Sequence, residues 1–126
     1  LATEIFFNNW RASIIVSVGG IISPISPLVI DFINGVILGL VASRLSLNEF
    51  LILVMPHGII ELPSFLIAIS MGIRLGITFL FNKKFLSREL RRAVLLSIGL
   101  APLFFIAAII ETYITPFLAR NILGWR

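Results

Sequence analysis

Long apolar runs, separated by short polar connectors, are the feature that most constrains how this chain can fold. The runs extend over about residues 5–22, 27–43, 50–81 and 87–114, and roughly twenty apolar residues suffice for a helix to cross a bilayer. Apolar residues occupy 59% of the 126 positions and charged residues 13%, whereas soluble domains contain about half and a quarter. The sequence predicts an all-α bundle with four transmembrane helices, and residues 1–126 are expected to form a single transmembrane domain.

The third run is too long for one straight span, and its prolines and glycine indicate where it breaks. Proline removes a backbone donor and glycine relaxes the backbone, so the helix is expected to break at Pro56-His57-Gly58. A short half-helix then covers residues 49–55, and a full span that includes Pro63 covers residues 59–81. Non-helical backbone at membrane depth must be buried in protein or face water, so the break is expected to face inward.

The expected starts of the second and fourth helices rest on serine caps. Ser26 is expected to be the N-cap of the second helix, with Pro27 as its first helical residue. Ser87 is expected to cap the fourth helix, which then runs to about Ile114.

Basic residues concentrate in the connector between the third and fourth runs, at Lys83, Lys84, Arg88, Arg91 and Arg92. Positive charge accumulates in cytoplasmic loops, so this connector is predicted to be cytoplasmic in the cell membrane and the C-terminus to lie outside. The same side chains suit anionic lipid headgroups or a cytosolic partner. Counting spans back places Leu1 outside, which predicts a fifth span upstream. Nucleic-acid binding is not expected, because no aromatic recognition module accompanies the basic residues.

Small residues four apart are expected to mediate helix packing. Gly35 and Gly39 have this spacing in the second run, and Gly72 and Gly76, extended upstream by Ala68, have it in the third. Small residues let helix backbones approach closely in lipid. Two interpretations remain open, namely packing within one bundle and the seam of a homodimer.

Ionisable residues inside apolar runs are the candidate functional residues. Inserting an ionisable side chain at the bilayer centre costs roughly 2.5–3.5 kcal/mol, so such residues usually have a function. His57 and Glu61 are four residues apart and therefore share a helix face. Glu111 lies as far after the basic connector as Glu61 lies before it. Antiparallel helices therefore place the two carboxylates at a similar level, and Arg11 is the nearest expected cation.

Three interpretations of this polar group remain open: a structural hydrogen-bonded cluster, a proton- or ion-linked site, and a metal site. His57 and Glu61 supply two ligands where zinc normally has three or four, so no metal and no cofactor are expected. Cysteine is absent, and the chain has neither a His-Glu-x-x-His motif nor a nucleophile elbow. The chain is therefore not expected to be an enzyme.

Four segments in order, EIFFNNW, FINGVILG, MPHGIIELPSFLIAISMGIRLG and IIETYITPFLA, resemble the stage II sporulation protein M family of polytopic membrane proteins. The resemblance covers nearly the whole chain, and the Pro-His-Gly-x-x-Glu-Leu-Pro block is its most specific part. It implies a helical integral membrane protein with about five spans. In endospore formers the similar protein anchors cell-wall-degrading partners at the septal membrane.

Two functions remain possible. The first is a non-enzymatic scaffold or assembly subunit, whose partners are membrane lipids and other membrane subunits or a second copy of the chain. The alternative is a transporter or channel component, in which the broken helix and the residues His57, Glu61 and Glu111 line a solvated path. The scaffold is favoured, because four helices are few for an independent carrier.

Overall fold

The computed structural model describes residues 1–125, which form helices joined by short turns. Six α-helices follow one another in this part of the chain: α1 (Ala2–Gly19), α2 (Ser26–Ala42), α3 (Leu47–Leu53), α4 (Met55–Phe81), α5 (Leu86–Ile109) and α6 (Thr115–Ile122). A 3₁₀ turn (Lys83–Phe85) precedes α5, and a π-helical turn (Ile110–Ile114) joins α5 to α6. Residues 1–125 contain no strand, so the predicted all-α class is confirmed.

Two helical segments within residues 1–125 are long and apolar enough to cross a membrane, namely Met55–Phe81 and the continuous segment Lys83–Ile122. The apolar helix α2 has 17 residues and rises only about 26 Å, less than the roughly 30 Å of bilayer hydrocarbon. The first half of α1 carries polar and charged side chains at Glu4, Asn8, Asn9 and Arg11. The four-span prediction is therefore supported for two segments.

Helices α1, α4 and α5 pack against one another and enclose the core. Ala68 of α4 and Phe104 of α5 are fully buried, and the Phe104 ring meets Phe65 edge to face at a centroid distance of 5.8 Å. Trp10 of α1 donates its indole N–H to the carbonyl oxygen of Ser97 at 2.8 Å. This bond fixes α1 against α5, because a buried indole N–H needs an acceptor.

Glycines on α4 allow the end of α1 to approach its backbone. A Cβ atom added at Gly72 would overlap the carbonyl oxygen of Val16, and one added at Gly76 would overlap that of Gly20. Ala68 continues the same face of α4 and is completely buried. The Gly72/Gly76 spacing therefore packs helices within the chain.

Helix α2 has a different environment from the other long helices. Pro27 is its only buried residue, and a Cβ atom added at Gly35 or Gly39 would have no neighbour within 4 Å. Its exposed large apolar side chains are Leu28, Val29, Phe32, Ile33, Val36, Ile37, Leu40 and Val41. Within residues 1–125 the Gly35/Gly39 spacing therefore has no packing partner.

The break between α3 and α4 lies at Val54 (φ −107°, ψ −45°), so the predicted break at Pro56–Gly58 is displaced along the chain. Pro56 lies in the first turn of α4, where N–H groups lack an intrahelical acceptor and proline is well tolerated. Gly58 is already helical and donates its N–H to the Val54 carbonyl at 3.0 Å. Pro63 lies inside α4 without ending it.

Both predicted serine caps are wrong. Ser26 is the first residue of α2 rather than its cap, and its hydroxyl donates to the carbonyl oxygen of Ser23 at 2.8 Å. Ser87 lies inside α5, which begins at Leu86. Serine hydroxyls bond readily to nearby backbone groups in more than one geometry, so residue type alone does not fix the cap.

The fourth helical run continues beyond its predicted end near Ile114. The π-helical turn carries it into α6, which ends at Ile122. Pro116 is the second residue after this turn and accounts for it, because a proline ring clashes with the carbonyl four residues earlier, here that of Thr112. Widening the turn relieves such a clash without ending the helix.

Candidate functional site

The candidate site lies where α4 begins and where α5 passes into the π-helical turn. His57, Glu61 and Glu111 each offer one ligand atom, and these three atoms all lie within 4.8 Å of one another. All three residues are half-buried. We call these three residues the polar cluster.

Local helix geometry explains why the three side chains meet. His57 and Glu61 are one turn apart on α4 and project from the same face. Glu111 comes from the π-helical turn, and such turns change the direction of the side chains they carry and occur often at functional sites. In addition, α3 contacts α6, so the segments leading into and out of the cluster also touch.

Several polar atoms at or beside the polar cluster have no hydrogen-bond partner in residues 1–125. His57 Nδ1 is buried without a partner, and so are the hydroxyl oxygens of Thr112 and Thr115, which follow Glu111 closely in the chain. A buried polar group without a partner costs roughly 1–3 kcal/mol. Of these atoms, only His57 Nδ1 belongs to the polar cluster, and it is free to contact a polar or charged ligand.

Arg11, the cation expected near the two carboxylates, forms no ion pair with Glu61 or Glu111 within the described residues. It is exposed on α1 and lines a shallow surface groove together with Glu4 and Asn8. Its neighbour Trp10 bonds to Ser97 of α5, which lies 14 residues before Glu111, or about 20 Å along a helix at 1.5 Å per residue. Arg11 therefore lies at a different depth from the polar cluster, so the predicted proximity is wrong.

A second charged group lies at the opposite end of the α4–α5 hairpin. Glu89 Oε2 lies 2.7 Å from Arg74 Nε, and Glu89 Oε1 lies 2.8 Å from a guanidinium nitrogen of Arg92 and 3.5 Å from Arg88 Nε. The Glu89 side chain is 3% exposed, whereas the three arginine side chains are at least half exposed. One buried carboxylate is thus surrounded by three guanidinium groups.

Sequence reasoning missed the pairing of Arg74 with Glu89, although a usable signal was present. Arg74 lies eight residues before Asn82, the residue that follows α4, and Glu89 lies seven residues after it. Antiparallel helices joined by a tight turn bring such positions side by side. The same hairpin argument that relates Glu61 to Glu111 applies to this pair.

The remaining basic residues of the connector stay at the surface. Lys83 lies over the Phe79 ring at 4.9 Å, and Lys84 lies over the Phe85 ring at 4.8 Å. Arg91 is exposed. Cation–π contacts of this kind hold the ammonium groups near the helix ends while leaving them accessible to solvent.

Comparison with known proteins identifies the family. A family model described as Stage II sporulation protein M matches residues 1–116. The chain belongs to the stage II sporulation protein M family. An uncharacterized protein from Methanocaldococcus jannaschii is 31% identical over 114 residues, which make up 84% of this chain and 53% of that protein. The chain thus spans about half the length of that relative.

The resemblance predicted from the sequence is confirmed by these comparisons. The region matched by the stage II sporulation protein M model contains His57, Glu61 and Glu111. No solved structure matches this chain significantly. Family membership and two long apolar helices together support association with a membrane.

Proposed function

We propose that this chain is a non-enzymatic, multi-pass protein of the cell membrane that serves as a subunit of a membrane assembly. In this proposal Met55–Phe81 and the apolar part of Lys83–Ile122 cross the bilayer, with the basic connector on the cytoplasmic side. Helix α2 docks onto a transmembrane helix outside the described residues. The observation that carries the proposal is the open space beside Gly35 and Gly39.

The environment of α2 supports an interaction with another helix. A glycine in a helix interior lowers helix stability by about 1 kcal/mol relative to alanine, and no packing contact at Gly35 or Gly39 within residues 1–125 offsets this loss. In lipid, glycines with this spacing usually allow close contact with a second helix. Gly72 and Gly76 make such a contact with the end of α1 in the same chain.

Cross-linking from single cysteines tests this proposal cleanly, because the chain has no cysteine of its own. Gly35→Cys and Gly39→Cys should give a cross-linked product in native membranes, since their side chains would lie at the proposed contact. Gly99→Cys is the matched control, because a Cβ atom there also meets open space but lies on α5. A doubled mass indicates a second copy of the chain, and another defined mass indicates a different subunit. Equal cross-linking at all three positions would contradict the proposal.

A second candidate function is supported by the polar cluster. Convergence of His57, Glu61 and Glu111 within 4.8 Å, beside the α3–α4 break, is an arrangement found where transporters bind ions. In this alternative the chain is a transporter or channel component, and the cluster is a proton- or ion-linked site.

Replacing Glu61 by glutamine distinguishes the two functions. If the cluster only stabilises the fold of a subunit, Glu61→Gln should lower the yield of monodisperse protein in detergent, and neither wild type nor variant should carry ions. The measurement is proton and cation flux in proteoliposomes, with Glu4→Gln as a control for an exposed carboxylate that does not belong to the polar cluster. Normal assembly combined with loss of a wild-type flux would favour the transport function.

A further inference from the structure

The chemistry of the polar cluster supports a ligand more specific than an ion in general. We propose that His57, Glu61 and Glu111 bind a divalent transition-metal cation, with Zn²⁺ preferred over Mn²⁺ and with Mg²⁺ excluded. The proposal does not depend on the assembly role of α2, because no residue of α2 belongs to the site.

The spacing of the three ligand atoms fits a metal ion. Ligand atoms around a tetrahedral Zn²⁺, with bonds of about 2.0–2.2 Å, lie roughly 3.3–3.6 Å apart. The three candidate atoms lie within 4.8 Å of one another, so a contraction of about 1 Å, within reach of side-chain rotation, would complete the coordination. Three protein ligands would leave a fourth position open for water or another ligand.

The charges of the two carboxylates also favour a cation. Within the described residues, no ion pair involves Glu61 or Glu111. Two carboxylates this close repel each other when both are ionised, and partial burial strengthens the repulsion. A divalent cation neutralises both carboxylates at once and leaves a neutral imidazole as the third ligand.

An imidazole nitrogen of the polar cluster also lacks a partner. His57 Nδ1 is buried and has no hydrogen-bond partner, although a buried imidazole nitrogen normally has one. A metal ion is a suitable partner, because neutral imidazole is among the commonest metal ligands in proteins. The imidazole of His57 can coordinate a metal through either ring nitrogen, and the other nitrogen then remains available for a hydrogen bond.

The donor set selects the class of metal. One imidazole nitrogen with two carboxylate oxygens suits first-row divalent cations such as Zn²⁺, Mn²⁺ and Fe²⁺. Mg²⁺ and Ca²⁺ prefer oxygen ligands alone, and metals that require thiolate ligands are excluded because the chain has no cysteine. Among the favoured cations, Zn²⁺ should bind more tightly than Mn²⁺, following the general order of affinities.

The test uses wild-type protein purified in detergent through a histidine-free tag, stripped with a chelator and then equilibrated with Zn²⁺, Co²⁺, Mn²⁺ or Mg²⁺. We expect one Zn²⁺ per chain by elemental analysis, retained in excess Mg²⁺, and a visible absorption band from bound Co²⁺. His57 is the only histidine, so imidazole scattering in an X-ray absorption spectrum of the bound metal would identify it.

Variants then assign the ligands. His57→Ala and Glu111→Gln should each weaken Zn²⁺ binding at least about 100-fold, the upper end of losses caused by outer-shell changes. Glu4→Gln should leave binding unchanged. His57→Asp restores a ligand, so it should recover part of the affinity and shift the preference toward Mn²⁺, because carboxylate suits Mn²⁺.

Two outcomes would overturn the proposal. One is wild-type protein that takes up neither Zn²⁺ nor Co²⁺ in stoichiometric amount, a result that does not depend on whether any variant folds. The other is His57→Ala protein that folds and binds Zn²⁺ as tightly as wild type. Neither outcome would alter the cross-linking expected from α2, so the two proposals can fail separately.

Discussion

Replacing Gly72 by leucine should separate α1 from α4 and lower the free energy of unfolding by roughly 3 kcal/mol, at the upper end of overpacking effects. The new side chain would overlap the carbonyl oxygen of Val16 and lie 2.9 Å or less from Pro27 Cγ. Backbone cannot move aside as a flexible side chain can, so the whole end of α1 must shift. We expect a large fall in the thermal midpoint measured by circular dichroism in detergent, together with aggregation on size-exclusion chromatography.

Gly99→Leu provides the matched control. Gly99 also lies inside a long helix, but a Cβ atom there would have no neighbour within 4 Å. Leucine favours helix more than glycine does, so this variant should be as stable as wild type or slightly more stable. If both variants unfold at the same temperature, the close approach of α1 to α4 at Gly72 does not contribute to stability.

Replacing Glu89 by glutamine should have the second-largest effect, a loss of about 2 kcal/mol of unfolding free energy. Breaking a buried ion pair costs about 3–5 kcal/mol, but the partners Arg74, Arg88 and Arg92 are at least half exposed and regain hydration, which lowers the cost. The glutamine side chain would retain the shape but would leave three guanidinium groups next to one another without a counter-charge. Chemical unfolding in detergent provides the measurement.

A double-mutant cycle assigns this loss to the ion pair. In the Glu89→Gln background, Arg74→Gln should cost clearly less than it does in wild type, because its partner is already gone. Glu4→Gln removes an exposed carboxylate and should change stability little. Strictly additive effects of the two changes at Arg74 and Glu89 would mean that their contact contributes nothing.

The positions of the helices were largely predictable from the sequence, whereas their ends were not. Apolar runs identify α1, α2, α4 and α5 because burial in a bundle or in lipid requires continuous apolar surface. The ends of helices depend on small differences in free energy between alternative backbone conformations. Pro56 was expected to break a helix, but the chain turns at Val54 and proline then occupies a first-turn position that suits it.

Part of the candidate site could be predicted from the sequence. Equal distances from the connector placed Glu61 and Glu111 at one level, and the structure brings both to His57. The position of Arg11 could not be predicted, because the depth of α1 depends on tertiary contacts such as that of Trp10 with Ser97. The π-helical turn that carries Glu111 is a local departure from α-helical geometry, which the apolar pattern does not reveal.

The widened turn at Ile110–Ile114 has a consequence for how this stretch of the chain can vary. A π-helical turn holds one residue more than an α-helical turn, so the removal of one residue here is absorbed by a return to α-helical geometry. Inserting one residue would instead rotate every later side chain by about 100°. Thr115 and Ala119, which are buried in α6, would then face outward, and α6 would lose the surface that it presents to the interior. The stretch between Glu111 and Ala119 therefore tolerates shortening by one residue better than lengthening by one.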